Sequence, residues 1–244
     1  NMNTFAEKKG NHFIINGTKN WVTNGINSDI IILFCLTEKG IGSKGISAFI
    51  IDKKLEGITT GKKEDKLGIR ASDTCELYFE NCMVPQENLL GSIGEGFKIA
   101  MKTLGGGRIG IASQAVGLSR SALEKATSYS KERKQFGKKI SEFGSIQNKL
   151  ADMATSTDAA RLLVWRAAIL KDQGLPYNKE SSMAKLFSSN TAMSSATECV
   201  QIYGGYGYIQ EYGVEQLMRD AKITQIYEGT SEIQRLVISR EVLK

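Results

Sequence analysis

Thr74-Cys75-Glu76-Leu77-Tyr78-Phe79-Glu80-Asn81-Cys82-Met83-Val84-Pro85 is the stretch that decides how the first part of this chain folds. Cys75, Leu77 and Phe79 alternate with Glu76, Tyr78 and Glu80, the two-residue period of a strand with one buried and one wet face. Pro85 ends it, because proline brings no donor to a ladder. Shorter apolar or β-branched runs at residues 12–16, 29–37 and 46–52 come earlier, separated by glycine and charged turns. Strands without helices between them predict a small antiparallel β-barrel or sandwich.

After Gly96 the period changes. Ile146, Leu150, Met153, Ala160, Val164, Ala167 and Leu170 fall on one face of a long helix. Residues 97–131 form a second helical candidate, interrupted near Gly105-Gly106-Gly107, and residues 181–203 and 230–243 a third and fourth. Pro176 sits in a turn between the helical stretches of residues 146–170 and 181–203. The pattern predicts an α+β multidomain chain, with a β domain at 1–91 and an antiparallel four-helix bundle at 92–244. Gly91-Ser92-Ile93-Gly94-Glu95-Gly96 lacks the spacing and the βαβ context of a dinucleotide loop, and reads as the hinge.

Composition narrows the function classes. The 244 residues are 41% hydrophobic and 24% charged, ordinary for a globular protein. The longest apolar run, residues 30–36, is too short to span a bilayer, and no signal-peptide pattern opens the chain. Cys35, Cys75, Cys82 and Cys199 lack paired spacing and His12 is the only histidine, so no metal site is expected and reduced thiols are. The net charge of +6 is interleaved with acids, as in Lys62-Lys63-Glu64-Asp65-Lys66, which fits anionic cofactors better than nucleic acid.

A second stretch carries the chemistry: Ile226-Tyr227-Glu228-Gly229-Thr230-Ser231-Glu232-Ile233-Gln234. Ser231 and Gln234 have capping-box spacing, so a helix starts near Thr230 or Ser231 and Glu228 lies on the turn before it. Ile226 and Tyr227 withdraw water from that carboxylate, as a general base working near neutral pH requires. Gly229 admits a ligand close to the backbone. Taken alone, Glu228 reads first as an ordinary acidic residue favoured by a helix dipole.

It stands in an ordered set. Asn16-Gly17-Thr18-Lys19-Asn20-Trp21-Val22-Thr23-Asn24-Gly25 is followed by Glu132-Arg133-Lys134-Gln135-Phe136-Gly137, then by Gln201-Ile202-Tyr203-Gly204-Gly205-Tyr206-Gly207-Tyr208, and last by Met218-Arg219-Asp220-Ala221-Lys222. This order resembles the acyl-CoA dehydrogenase family of flavoproteins, most of all its short-chain (butyryl-CoA) members, over essentially the whole chain. The resemblance implies an FAD enzyme that oxidises a short-chain acyl-CoA to the trans-2-enoyl-CoA. Glu228 would take the α-proton while the β-hydrogen leaves as hydride to flavin N5, and an electron-transferring flavoprotein would collect the electrons.

The resemblance also assigns roles. Trp21, Val22 and Thr23 would meet the flavin ring. Arg133, Gln135 and Phe136, with Gln201, Ile202, Gly204 and Gly205, would hold the cofactor of a neighbouring subunit in a dimer of dimers. Thr230, Ser231 and Glu232 would face the cofactor, and Gly105, Arg108, Tyr227 and Gly229 the substrate. The backbone N–H of Glu228, with a flavin hydroxyl, would stabilise the thioester oxygen. Relatives that carry the base on the long helix near Gly105 to Gly107 have a carboxylate there; this chain has none. Gly105 stands where short-chain relatives usually have aspartate, and Gly144 where a glutamine is frequent. The family's N-terminal helical domain is absent from the sequence as given. An acyl-CoA oxidase and a non-catalytic assembly module remain as alternatives, and bacterial cytoplasm and mitochondrial matrix are equally compatible.

Overall fold

A computed structural model describes residues 2–244, which divide into two compact units. One comprises the chain through Lys66 together with Arg70–Thr103; the other comprises Leu67–Ile69 and Leu104–Lys244.

In the first unit, seven strands form one sheet: β1 (Phe5–Lys9), β2 (His12–Thr23), β3 (Ile30–Leu36), β4 (Ile46–Asp52), β5 (Ile58–Thr60), β6 (Thr74–Pro85) and β7 (Leu89–Leu90). Their order is β5-β6-β2-β1-β3-β4-β7, antiparallel except for the parallel neighbours β1 and β3. In a flat sheet β2 and β4 would lie about 14 Å apart, three strand spacings. The Phe13 and Phe49 rings instead meet edge-on with centroids 4.9 Å apart, so the sheet curls around its own core. Alternation supplies that core: Phe13 and Ile15 from β2, Leu33 and Cys35 from β3, Phe49 and Ile51 from β4, and Cys75, Leu77 and Phe79 from β6. The pattern on β6 is thus borne out, and the expected barrel-like architecture with it. Asn81, in the left-handed region, lies between Phe79 and Cys82 on β6, where both of those side chains still point inward.

The second unit is helical. α1 (Gly96–Glu132) precedes a small hairpin of β8 (Lys134–Gln135) and β9 (Lys138–Lys139). α2 (Gly144–Asp172), α3 (Asn178–Tyr203), the single turn α4 (Gly205–Tyr208), α5 (Val214–Thr224) and α6 (Ser231–Val242) follow. α3 is central and packs against α2, α5 and α6. Its buried face is built from small residues (Ser181, Ser182, Ala184, Ser188, Ser189, Ala192, Ser195 and Ala196), which let neighbouring backbones approach.

Two sequence readings need correction. α1 runs unbroken through Gly105-Gly106-Gly107, because these glycines serve packing rather than a break. A Cβ on Gly105 would sit 3.1 Å from the Tyr177 hydroxyl. α5 was not anticipated; its short apolar face (Val214, Leu217, Met218, Ala221) lies among charges, and tertiary packing supplies the rest.

All four cysteines are free and buried. Among the described residues no helix is long and apolar enough to cross a membrane, and no cluster of metal-ligating side chains forms.

Candidate active site

In the sheet unit, a bulge between Lys19 and Val22 interrupts the β2–β6 pairing. Bulges re-aim side chains, and Trp21 sits in this one at φ +60°, with 74% of its surface exposed. Asn24 follows at φ +59°. The buried Asp73 carboxylate steadies the next turn, accepting the Ile26 N–H at 2.8 Å and the Asn27 amide at 2.7 Å. Those donors, the Ile26 N–H first, hold the Asp73 carboxyl below the ordinary range. A lowered native value makes the carboxylate's stabilisation complete above the unfolded value of about 3.9 and progressively lost as pH falls below it. Asp73→Asn should therefore lower the thermal midpoint at pH 6, and the gap from wild type should narrow between about pH 4 and pH 2. A gap that stayed constant across that range would show the carboxylate contributes no charge-dependent stability.

In the helical unit, five of the seven residues expected at the neighbouring cofactor line one cavity of about 450 Å³, and Phe136 and Gln201 do not. Arg133, Gln135, Ile202, Gly204 and Gly205 line it, together with Tyr129, Tyr203 and Tyr206, which the sequence reading had not singled out as ligands. Arg133 makes no ion pair among the described residues and lies over the Tyr206 ring at 5.2 Å, leaving its fork free. A Cβ added to Gly204 or Gly205 would enter open space, so both leave the wall wide. Gln201 is exposed on the last turn of α3. Phe136 occupies a hairpin turn with Gly137, both at positive φ, and 92% of its surface is bare. An unpaired guanidinium, open glycines and stackable rings suit a nucleotide diphosphate.

The turn between α5 and α6 places Glu228. Thr230 caps α6, its hydroxyl accepting the Ile233 N–H at 3.4 Å, and Ser231 begins the helix. Gln234 does not complete the expected capping box. It is fully buried, and its amide donates to the carbonyls of Gly229 at 2.9 Å and Glu228 at 3.2 Å. Lys185, fully buried on α3, donates to the same Gly229 carbonyl at 2.7 Å. Glu228 itself adopts φ +53° and Gly229 +89°. A left-handed glutamate costs about 1–2 kcal/mol, which its surroundings must supply. The Glu228 N–H has no acceptor among the described residues.

The Glu228 side chain is half-buried against α1, where a Cβ on Gly107 would lie 2.4 Å from Oε2. Tyr227 is anchored through its hydroxyl to Gln114 of α1, and burial pushes that phenol up. Arg108 is buried, and its Nη1 donates to Asn178 at 2.7 Å and Ser182 at 3.2 Å. Burial lowers the guanidinium, while the negative charge of Glu228 opposes the shift. Glu232 is exposed on the first turn of α6. Asp220, from the last sequence motif, accepts the Ile69 N–H at 2.6 Å, and Arg219 donates to the Leu67 carbonyl at 2.9 Å. That motif therefore ties the 67–69 segment to α5. Lys185 escaped the sequence reading, and so did the backbone partners of Gln234 and Asp220, because side-chain contacts made across the fold carry no periodic signal.

Against known proteins, the acyl-CoA dehydrogenase C-terminal domain matches residues 94–243 and the middle domain residues 1–82. The chain belongs to the acyl-CoA dehydrogenase family. A short-chain-specific acyl-CoA dehydrogenase of Clostridium acetobutylicum is 52% identical over 99% of this chain and 64% of its own length. The mitochondrial short-chain-specific enzyme of Mus musculus is likewise 52% identical, over 58% of its own length. The structure of butyryl-CoA dehydrogenase from Megasphaera elsdenii superposes with a TM-score of 0.98 at 51% identity, over 100% of this chain and 64% of that one. This acyl-CoA dehydrogenase chain thus spans just under two thirds of these relatives.

Proposed function

We propose that this chain carries the base and cofactor residues of an FAD-dependent dehydrogenase that oxidises a short-chain acyl-CoA to the trans-2-enoyl-CoA. The observation that carries the reading is Glu228, a half-buried carboxylate on a clamped, left-handed turn with its own N–H unsatisfied. An α-proton beside a thioester is a weak acid, so its removal needs a positioned base and a donor for the oxygen as charge develops. Glu228 supplies both from adjacent atoms, the carboxylate abstracting the α-proton and the N–H donating to the thioester oxygen. Gly229, at φ +89°, lets the backbone turn after the base with Gln234 packed where a side chain would stand, and Tyr227 closes the turn toward α1. Arg108 braces α1 against α3 near the carboxylate, and Gly105 keeps α1 close to Tyr177.

The residues present fit FAD. Arg133, Gln135, Phe136, Gln201, Ile202, Gly204 and Gly205 would hold its nucleotide half across a subunit boundary, which makes the chain an oligomer, by resemblance a tetramer. By resemblance, Trp21, Val22 and Thr23 would meet the ring, and Thr230, Ser231 and Glu232 would face the cofactor. Held there, FAD would supply the acceptor for the β-hydrogen as hydride. An electron-transferring flavoprotein is the proposed acceptor, and the compartment is bacterial cytoplasm or mitochondrial matrix.

The test is an anaerobic absorbance titration of the FAD-loaded protein with butyryl-CoA. Bleaching of the flavin band supports dehydrogenation; bound flavin that never bleaches with any short acyl-CoA refutes it. Peroxide released under air at the rate of turnover would assign an oxidase instead. Arg133→Ala should weaken FAD binding about 10- to 100-fold by equilibrium dialysis, the worth of a charge-assisted phosphate contact. Unchanged affinity would remove Arg133 from the cofactor site.

A further inference from the structure

Lys185 is the one long, charged side chain on the buried face of α3, among serines and alanines. Its ammonium is wholly shielded from water and makes no ion pair among the described residues. It donates to the Gly229 carbonyl at 2.7 Å, the same oxygen that Gln234 reaches at 2.9 Å from α6. A buried charge without a counter-ion opposes folding, and an apolar side chain of the same length would suit this packing better. What the ammonium gains is a grip on the turn that carries the base. Two donors from two helices converge on carbonyls 228 and 229, the one place where the backbone turns left-handed at a glutamate.

We infer that Lys185, acting with Gln234, is a positioning residue that holds the turn of residues 228–229 in its strained frame, an assignment that rests on Glu228 being the base. The carbonyls of Glu228 and Gly229 belong to the two peptide planes that follow the Glu228 Cα, so holding them fixes the chain on that side of the base. The carboxylate is thereby set beside Gly107, while the Glu228 N–H, on the preceding peptide, is held only through the shared Glu228 Cα. The charged groups acting on Lys185 are Glu228 on the turn, Arg108 on α1 and Glu232 on α6. Burial pushes its ammonium down to about 8, the two glutamates opposing and Arg108 reinforcing the shift. The clamp is therefore in its charged form at neutral pH and weakens as pH rises through that value.

The test replaces Lys185 with methionine in the flavin-loaded protein. The thermal midpoint stays equal or rises, because an unpaired buried charge is gone. Amide hydrogen exchange in a peptide spanning residues 226–231 accelerates about tenfold or more, while a peptide within α3 stays within about twofold of wild type. With butyryl-CoA, kcat falls about 10- to 100-fold and KM changes little, as expected of a misplaced base. Unchanged exchange at the turn overturns the clamp, and equal acceleration of turn and α3 shows a merely structural lysine, which also overturns it.

Should the variant not fold, the wild type decides. Turn protection, corrected for intrinsic exchange, should fall several-fold between about pH 7 and pH 9.5 while α1 protection holds. Constant turn protection overturns the inference. If the wild-type protein oxidises no acyl-CoA, the activity reading fails, while the exchange comparison still decides the clamp.

Discussion

Glu228→Gln abolishes flavin bleaching by butyryl-CoA on the stopped-flow timescale, with kcat down about 10²–10⁴-fold, the range for loss of a general base. Glutamine is nearly isosteric, so the turn, its clamped carbonyls and the free N–H all survive the change. Cofactor affinity and the binding of a non-reacting acyl-CoA should therefore match wild type. The loss falls on kcat because the interaction removed exists only as the α-proton moves. Positions 105 to 107 on the facing helix are all glycine, so no nearby carboxylate on α1 substitutes for the missing one. A variant that still bleached the flavin at the wild-type rate would place the base elsewhere.

Gly107→Ala should separate stability from activity in opposite directions. The new methyl would begin 2.4 Å from Oε2 and 3.1 Å from Cδ of Glu228, closer than atoms pack, so the carboxylate must swing off α1. Displacing a catalytic atom by about 1 Å costs on the order of 10²-fold in rate. Yet alanine is the better helix former by about 0.8–1.0 kcal/mol, and position 107 lies inside a continuous helix. The thermal midpoint should hold or rise while kcat with butyryl-CoA drops. A midpoint that falls sharply would mean that the backbone, not the carboxylate, gives way.

Periodic features were legible from the chain and aperiodic ones were not. The alternation at Cys75, Leu77 and Phe79 reports burial at each step, and the curled sheet follows from it. The α2 face from Ile146 to Leu170 is equally plain, since a helix repeats the same demand every turn. Glycine is ambiguous because its propensity argues for a break, while its missing side chain permits close packing. At Gly105 and Gly107 a tyrosine and a glutamate from elsewhere in the fold decide for packing. Gln234 read as a cap because its spacing to Ser231 allows one; the carbonyls it actually binds became its neighbours only through the left-handed turn. Lys185 left no trace, because a buried lysine and a surface lysine are written alike. The motif residues that line the cavity, Arg133, Gln135, Ile202, Gly204 and Gly205, were found through family resemblance rather than through pattern.

The four buried thiols turn this chain into its own opening sensor. Cys35, Cys75 and Cys82 lie in the core of the sheet unit, and Cys199 lies in the core of the helical unit. Burial pushes the Cys35 thiol up to about 12 and that of Cys199 up to about 11, so the reactive thiolate is scarce while each core stays closed. An alkylating reagent can therefore count the excursions of each unit separately, three labels marking one and a single label the other.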